Sequence, residues 1–501
     1  MRTIEPDQKR ALASLLLRVD GRMSTPLHEQ IYEGVRARIL AGAALPGTRL
    51  PSSRQLAAEL SVARTTVLQA LEALAAEGYV VARQRSGVRV APALPVERLP
   101  APGRRTDRPA LPPRLSTAAA RAVRRAPAGA PRLGGAPRAF RPGVPALDLF
   151  PTALWARIVG QCCGRASAQL LDGGDAAGHA GLRRAIAEHV SAARAVSCSP
   201  EQVFVTGGTQ QALEEVLRLV LDPGDAVWVE DPGYLGARRA VAATHGRAVA
   251  VPVDDEGLDV AAGTERAPHA RAVVLSPSHH YPLGVTLSLP RRMALLRWAA
   301  ERRVLVVEDD YDSEFRYRGR PLMALQGLDE AGRVVYMGTF SKTLFPGLRV
   351  GFLVVPPALV EAVRATRSGV PSPAAALEQA ALARFIADGH FARHLRRMRT
   401  AYRERGEALV EALRAACGGA LDPRPCDTGM QLAAGLRGQV RDAAVRDEAA
   451  RLGIEVAPLS DYFLGRPRMS GLVFGFGGVR PAAIRAGVQA LARALERAGA
   501  G

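Results

Sequence analysis

Apolar positions along the chain fall into two patterns separated by a stretch that has neither. Leu27, Ile31, Val35 and Ile39 recur at helical spacing, and Gly42 and Pro46-Gly47 then break the run. A second helix is predicted to begin in Pro51-Ser52-Ser53-Arg54, with a serine cap, and to continue to Leu60. After a brief turn at Ser61-Val62, a third is predicted from Ala63 to Ala76, with Val67, Leu71 and Leu74 on one face and Gly78 past its end. Tyr79-Val80-Val81 and Val88-Arg89-Val90 flank Arg83-Gln84-Arg85-Ser86-Gly87, which reads as a two-stranded wing with a basic tip.

Residues 91–140 lose all periodicity and hold ten prolines and ten arginines among many alanines. Such a stretch cannot bury enough apolar surface to offset its ordering entropy, so it reads as a linker. As a flexible coil it would span roughly 40 Å r.m.s.. From about residue 147 a different pattern begins. Short apolar runs (Val203-Phe-Val-Thr, Ala226-Val-Trp-Val, Ala272-Val-Val-Leu, Val304-Leu-Val-Val) alternate with helical segments. That alternation predicts an α/β unit with a mostly parallel sheet and helices on both faces, whose ligands sit at the carboxyl ends of the strands. The expected organisation is therefore 1–92, a linker over 93–140, and 141–501.

Composition narrows the class. The 501 residues are 48% apolar and 23% charged, ordinary globular usage. No apolar run is long enough for a bilayer, and the opening MRTIEPDQKR has no signal-peptide core. Five cysteines without a CxxC pair predict neither a disulfide framework nor a metal site, and a reducing cytoplasm is expected. The net charge of +19 is uneven: residues 1–90 hold 13 basic and 8 acidic residues, residues 91–140 hold 10 and 2, and the other 361 share +6. A polyanionic partner is to be sought on the N-terminal side.

The 67 basic residues include only two lysines, Lys9 and Lys342. Where arginine serves almost every other cationic position, a retained lysine points to chemistry that guanidinium cannot perform. A primary amine can lose its proton and attack a carbonyl.

Two short helices joined by a tight turn describe a helix-turn-helix, whose second helix enters the major groove. Ala63, Arg64, Thr65 and Thr66 begin that helix; arginine can read guanine, and threonine hydroxyls suit phosphates or base edges. A helical packing module without DNA contact fits the periodicity equally well. The residues, however, resemble the winged helix of the GntR regulators: Pro26-Leu-His-Glu-Gln-Ile, Gly47-Thr-Arg-Leu-Pro-Ser-Ser-Arg-Gln-Leu-Ala, Val62-Ala-Arg-Thr-Thr-Val, Glu77-Gly-Tyr-Val and Ser86-Gly. The resemblance implies that Ser53, Arg54, Arg64, Thr65 and Thr66 face double-stranded promoter DNA, with Arg85 and Gly87 of the wing on its backbone. Ala63 stands where the family usually has serine.

In the large unit three segments fall just past strand ends. Thr206-Gly207-Gly208-Thr209-Gln210 opens a helix and can hold a phosphate there. Val307-Glu308-Asp309-Asp310-Tyr311 ends a strand in carboxylates and a phenol, and Thr339-Phe340-Ser341-Lys342 precedes Arg349. Separately these are an ordinary Gly-Gly turn, an acidic turn and a surface loop. Together they supply what a pyridoxal phosphate site needs: an amine, a carboxylate for the pyridine nitrogen and a phosphate cradle.

The unit resembles the fold-type I aminotransferases, and more closely the MocR-type regulators, which join a GntR winged helix to such a body. Leu221-Asp-Pro-Gly-Asp, Glu230-Asp-Pro-Gly-Tyr, Pro277-Ser-His-His-Tyr-Pro-Leu-Gly, Glu308-Asp-Asp-Tyr-Asp-Ser-Glu-Phe-Arg-Tyr and Gly338-Thr-Phe-Ser-Lys-Thr-Leu-Phe-Pro-Gly-Leu-Arg carry it. The resemblance implies that Lys342 forms the Schiff base with pyridoxal 5'-phosphate, Asp309 pairs with the pyridine nitrogen, Tyr311 meets the ring oxygen and Tyr234 stacks. It assigns the phosphate to Gly208, Thr209, Gln210, Thr339 and Arg349. Tyr281 stands where aminotransferases usually carry asparagine, and Gly173 where relatives often carry tyrosine. Arg466 and Arg468 are the candidates for an effector carboxylate, and His279 and His280 for the pocket wall. The expected function is a homodimeric transcription regulator sensing pyridoxal phosphate or a small amino compound. The alternatives are a working aminotransferase with an accessory DNA-binding domain, and a cofactor-binding scaffold with a vestigial head.

Overall fold

A computed structural model describes residues 17, 19–83, 87–92, 138–319, 322–370 and 372–499. The chain divides into two units, Met1–Arg114 and Leu115–Gly501. Nearly all of the expected linker lies outside the described residues, as does Arg85.

In the small unit α1 (Leu27–Leu40), α2 (Ser53–Leu60) and α3 (Arg64–Ala76) precede a hairpin of β1 (Val80–Arg83) and β2 (Gly87–Val90). Helix α2 starts where predicted because Ser52 and Gln55 form a reciprocal capping box. The chain then reverses at Ser61, whose φ of 56° ends α2 and frees the backbone to begin α3. Ile31, Ile39, Val67, Leu71 and Leu74 from α1 and α3 close over Tyr79, Val80 and Val90. The hairpin is antiparallel, with Val80 opposite Val90 and Arg83 opposite Gly87, so its strands run further toward the tip than the apolar pattern predicts.

The large unit is built on an eight-stranded sheet. In chain order its strands are β3 (Val203–Thr206), β4 (Ala226–Asp231), β5 (Arg247–Asp254), β6 (Gly257–Leu258), β7 (Ala272–Leu275), β8 (Leu305–Asp310), β9 (Val334–Thr339) and β10 (Gly351–Val354). The spatial order is β3-β10-β9-β8-β7-β4-β5-β6. Pairs β5-β4, β4-β7, β7-β8 and β8-β9 are parallel, whereas β10 is antiparallel to both neighbours and β6 to β5. Val227 and Val229 join one buried cluster and Trp228 another, so alternate side chains feed cores on both faces. All four predicted strands are present; β5, β6, β9 and β10 are additions.

A second, antiparallel sheet joins β11 (Leu421–Pro423), β12 (Gln431–Leu436), β13 (Ala457–Pro458) and β14 (Gly471–Gly475) in the order β11-β12-β14-β13. Four helices matter below: α4 (Thr209–Val220), α5 (Leu235–Ala243), α6 (His390–Cys417) and α7 (Pro481–Gly499). Phe140, the last residue of the predicted linker, is fully buried in this unit, where its ring packs against Gly487 of α7, and it bridges to Gly475 of β14.

Candidate cofactor site and DNA-reading head

Because β3 and β9 both lie antiparallel to β10, β3, β9 and the parallel core all end at one edge of the sheet. Register brings the ends into line: Gly351 is opposite both Thr206 and Thr339. A side chain at Gly351 would press on the Thr206 hydroxyl at 3.0 Å and on Gly208 Cα at 3.2 Å, so glycine lets the two strand ends close.

Gly208 caps α4 with φ 117° and ψ 169°, a conformation that favours glycine. The first-turn N–H groups of α4 therefore point past the strand edge with no intrahelical acceptor. The Arg349 guanidinium carbon would stand 4.0 Å from a Cβ at Gly208, so its charge lies over the same helix end. Tyr234, at the start of α5, shares a hydrogen bond with Thr209 and has its phenol pushed up to about 12, chiefly by burial. Gln210 turns its side chain away, donating to Glu214 Oε1 at 2.9 Å and to the Gly236 carbonyl at 3.3 Å. Its offer to an anion is its backbone N–H. The Thr339 hydroxyl accepts from Ser341 N at 3.1 Å.

Asp309, the next-to-last residue of β8, lines a small cavity with Glu230, Tyr234, Ser276, Val229 and Val274. Its Oδ1 is buried and, among the described residues, has no hydrogen-bond partner. Burial, then Asp310 and Asp312, raise its carboxyl to about 7, and Lys342 opposes them. Glu230, not singled out from the sequence, accepts from Ser276 N at 3.0 Å and is raised by burial to about 8.

Lys342 sits in a single helical turn after β9, and its Nζ donates to the Gly143 carbonyl at 3.0 Å. Burial holds its amine below the usual ammonium range, against the pull of Asp312 and Asp309, and nearby Arg141 pushes the same way as burial. Tyr281 links the aromatic residues: its ring meets those of Tyr234, Tyr311 and Tyr462 edge-on, and its hydroxyl is 2.6 Å from that of Tyr462. The Tyr311 hydroxyl accepts from Gln431 Nε2 and lies beside His279 Nδ1, both at 3.2 Å; His279 also meets Asp312 Oδ1 at 2.8 Å. His280 is structural. Burial lowers it to about 3, and its neutral ring pairs with the Pro232 carbonyl and the Leu283 N–H.

Comparison with known proteins bears on both units. Residues 165–462 match the class I and II aminotransferases, and residues 27–90 match the bacterial regulatory proteins of the gntR family. The chain is 40% identical over 503 aligned residues, covering 97% of each protein, to the probable rhizopine catabolism regulatory protein MocR of Rhizobium meliloti. It belongs to the MocR-type regulators of the GntR family. It is also 32% identical to the pyridoxine biosynthesis transcriptional regulator PdxR of Corynebacterium glutamicum, over 93% of this chain and 95% of that one. Among solved structures, the α-aminoadipate aminotransferase LysN of Thermus thermophilus aligns with a TM-score of 0.67 at 30% identity, over 72% of this chain and 92% of LysN.

In the DNA-reading head of this MocR-type regulator, Arg54, Arg64 and Thr65 are exposed, and Ser53 and Thr66 are half-buried. Arg64 Nε donates to Ser53 Oγ at 3.2 Å, which couples the starts of α2 and α3. Gly87 opens β2, with the exposed Arg49 guanidinium packed where a side chain would go, so Arg49 joins the face that the sequence reading assigned to the wing.

Arg466 and Arg468 are exposed between Tyr462 and β14, with no hydrogen bond or ion pair among the described residues. Arg141, which the sequence reading did not name, is the arginine that influences the Lys342 amine. Contacts with Gly143, Ser276 and Gln431 were likewise invisible in the sequence because each joins segments far apart along the chain. Among the described residues no helix is long and apolar enough to cross a membrane, and no group of three or more His, Cys, Asp or Glu is disposed to hold a metal.

Proposed function

We propose that this regulator holds pyridoxal 5'-phosphate at the edge of the large sheet and uses it to sense a small molecule that alters promoter binding by the winged helix. The observation that carries the reading is the buried, unpartnered Oδ1 of Asp309, in one cavity with Tyr234. A buried carboxyl oxygen without a donor fits a protonated pyridine nitrogen. Around it, Tyr234 would stack on the ring, Tyr311 would meet the ring oxygen, and Tyr281 would close the edge. The N–H groups of Gly208, Thr209 and Gln210, the Thr339 hydroxyl and Arg349 would hold the phosphate at the start of α4. When bound, the cofactor supplies an aldehyde that captures primary amines and a ring that withdraws electrons.

The chain's own residues do the rest. Burial keeps the Lys342 amine ready to give up or take a proton, and the Gly143 carbonyl aims it. Asp309 holds a proton at the ring nitrogen, and the apolar cavity walls exclude water. An effector acts only if it discriminates between conformers that present the winged helices differently. The related PdxR and MocR are named for pyridoxine biosynthesis and rhizopine catabolism, so the signal here is either cofactor loading or an amino compound. Arg466 and Arg468 remain candidates for an effector carboxylate; Arg141, half-buried near Lys342, already pairs with Glu455 at 3.6 Å. A homodimer would present two winged helices to paired half-sites, and the site of action would be the cytoplasm, where the DNA is.

Lys342 and Asp309 together also favour a second reading, a working aminotransferase. Sustained turnover of an amino acid with a keto acid would establish it. The first test is borohydride reduction of the protein loaded with pyridoxal phosphate, followed by peptide mass spectrometry. The pyridoxyl group is expected on Lys342; labelling elsewhere, or none, contradicts the assignment.

A further inference from the structure

The first half of α6 carries charge that the site does not use. The helix buries Phe391, His394, Leu395, Met398 and Tyr402, and leaves Arg393, Arg396, Arg397, Arg399 and Arg403 exposed. No aspartate or glutamate falls between His390 and Arg403. Among the described residues none of the five arginines pairs with a carboxylate. Arg399 donates to the Glu314 carbonyl, Arg393 to that of Asp388, and Arg397 lies 3.4 Å from His394 Nδ1. The acids nearby are engaged elsewhere: Asp388 with Arg384, Glu314 with His189, and Glu407 with Arg318. Glu404 and Glu407 follow the stripe and mark its end.

Elsewhere in the unit surface arginines are more thinly spread, some unpaired like Arg466 and Arg468 and others paired with acids. Arg183, Arg291, Arg424 and Arg446 each pair with an aspartate. What distinguishes α6 is density: five exposed arginines fall within eleven residues that hold no acid. An arginine-rich surface that merely keeps the protein soluble would scatter such charges, because crowding them costs Coulomb energy.

We propose that this face of α6 is a second DNA-contacting surface, which takes backbone phosphates of duplex flanking the sequence read by the winged helix. Guanidinium groups match phosphate oxygens bidentately. From Arg393 to Arg403 the helix rises about 15 Å. Along the duplex axis that length spans about four base-pair steps. Exposed Ala392 precedes the arginines and exposed Thr400 lies among them, with no large apolar residue exposed there, so the face has nothing to insert into a bilayer. The inference rests on the DNA-binding reading above.

The test uses the full-length protein and Arg396→Gln/Arg397→Gln/Arg403→Gln, with the matching triple arginine-to-lysine variant as a charge-preserving control. Affinity is measured by fluorescence anisotropy at several salt concentrations, on the short duplex footprinted by the wild type and on one extended by natural flanking sequence. All three proteins are expected to bind the short duplex alike. On the extended duplex the wild type should gain at least about tenfold, and the glutamine variant should lose that gain together with about three units of the log–log salt slope. The lysine variant should keep most of the slope. Equal affinities of wild type and glutamine variant for the extended duplex, or no gain by the wild type on extension, would overturn the proposal. Failure of every protein on the short duplex would instead bring down the winged-helix reading, and this inference with it.

Discussion

The Lys342 amine donates to the Gly143 carbonyl at 3.0 Å across 199 residues of sequence. Gly143 has a φ of 75°, and a Cβ built on it would lie 2.5 Å from Nζ. The residue that aims the amine therefore has to be glycine. Gly143→Ala should cost about 1–2 kcal/mol in backbone strain. It should also weaken pyridoxal phosphate binding by about tenfold or more as the amine is pushed aside, roughly 1.4 kcal/mol. Equilibrium dialysis against the cofactor measures this; an unchanged dissociation constant would mean that the contact does not position Lys342.

Stability of the cofactor-free protein should fall as pH rises. Burial raises Asp309 and Glu308 to about 7 and Glu230 to about 8. An acid whose folded pKa exceeds its unfolded value holds its proton more tightly when folded. Its stabilisation is complete below about pH 4 and disappears as pH rises through the folded value. Tm should decline from about pH 5 to about pH 8.5, and less steeply in Asp309→Asn, which removes one such group. Differential scanning fluorimetry across that range decides it, and parallel curves for the two proteins would exclude Asp309 as a contributor.

The Arg64–Ser53 hydrogen bond fixes the direction of the first residue of the reading helix. Arg64→Ala should lower affinity for the specific site by about ten- to a hundredfold, the loss of a base contact, and have a much smaller effect on non-specific DNA. Ser53→Ala should cost only a few-fold. Gel-shift titrations on both kinds of duplex measure this, and a uniform loss on both would recast Arg64 as a phosphate contact.

Much of this was legible because it is local. The serine cap at the start of α2, the brief turn at Ser61-Val62, and the placement of Lys342 and Asp309 at strand ends follow from residues within a few positions of one another. What was not legible depends on contacts between distant segments. Strand β10, which follows the Arg349 turn, was not among the predicted strands; pairing with both β3 and β9 makes it one. Phe140 looked like the end of a proline-rich linker, and only its packing beside Gly475 puts it in the core. Gln431 reaches Tyr311 from 120 residues away, in a different sheet.

Ligand binding at the Lys342 site should change how the chain engages DNA, and the most direct measurement is a titration onto the DNA upstream of its own gene. The protein is titrated cofactor-free, loaded with pyridoxal phosphate, and loaded in the presence of a panel of amino compounds, with Lys342→Ala in parallel. Specific binding is expected, with an affinity or footprint that shifts in at least one loaded state, and no shift in Lys342→Ala. Identical binding by the wild type in every state would contradict a sensing role for the site.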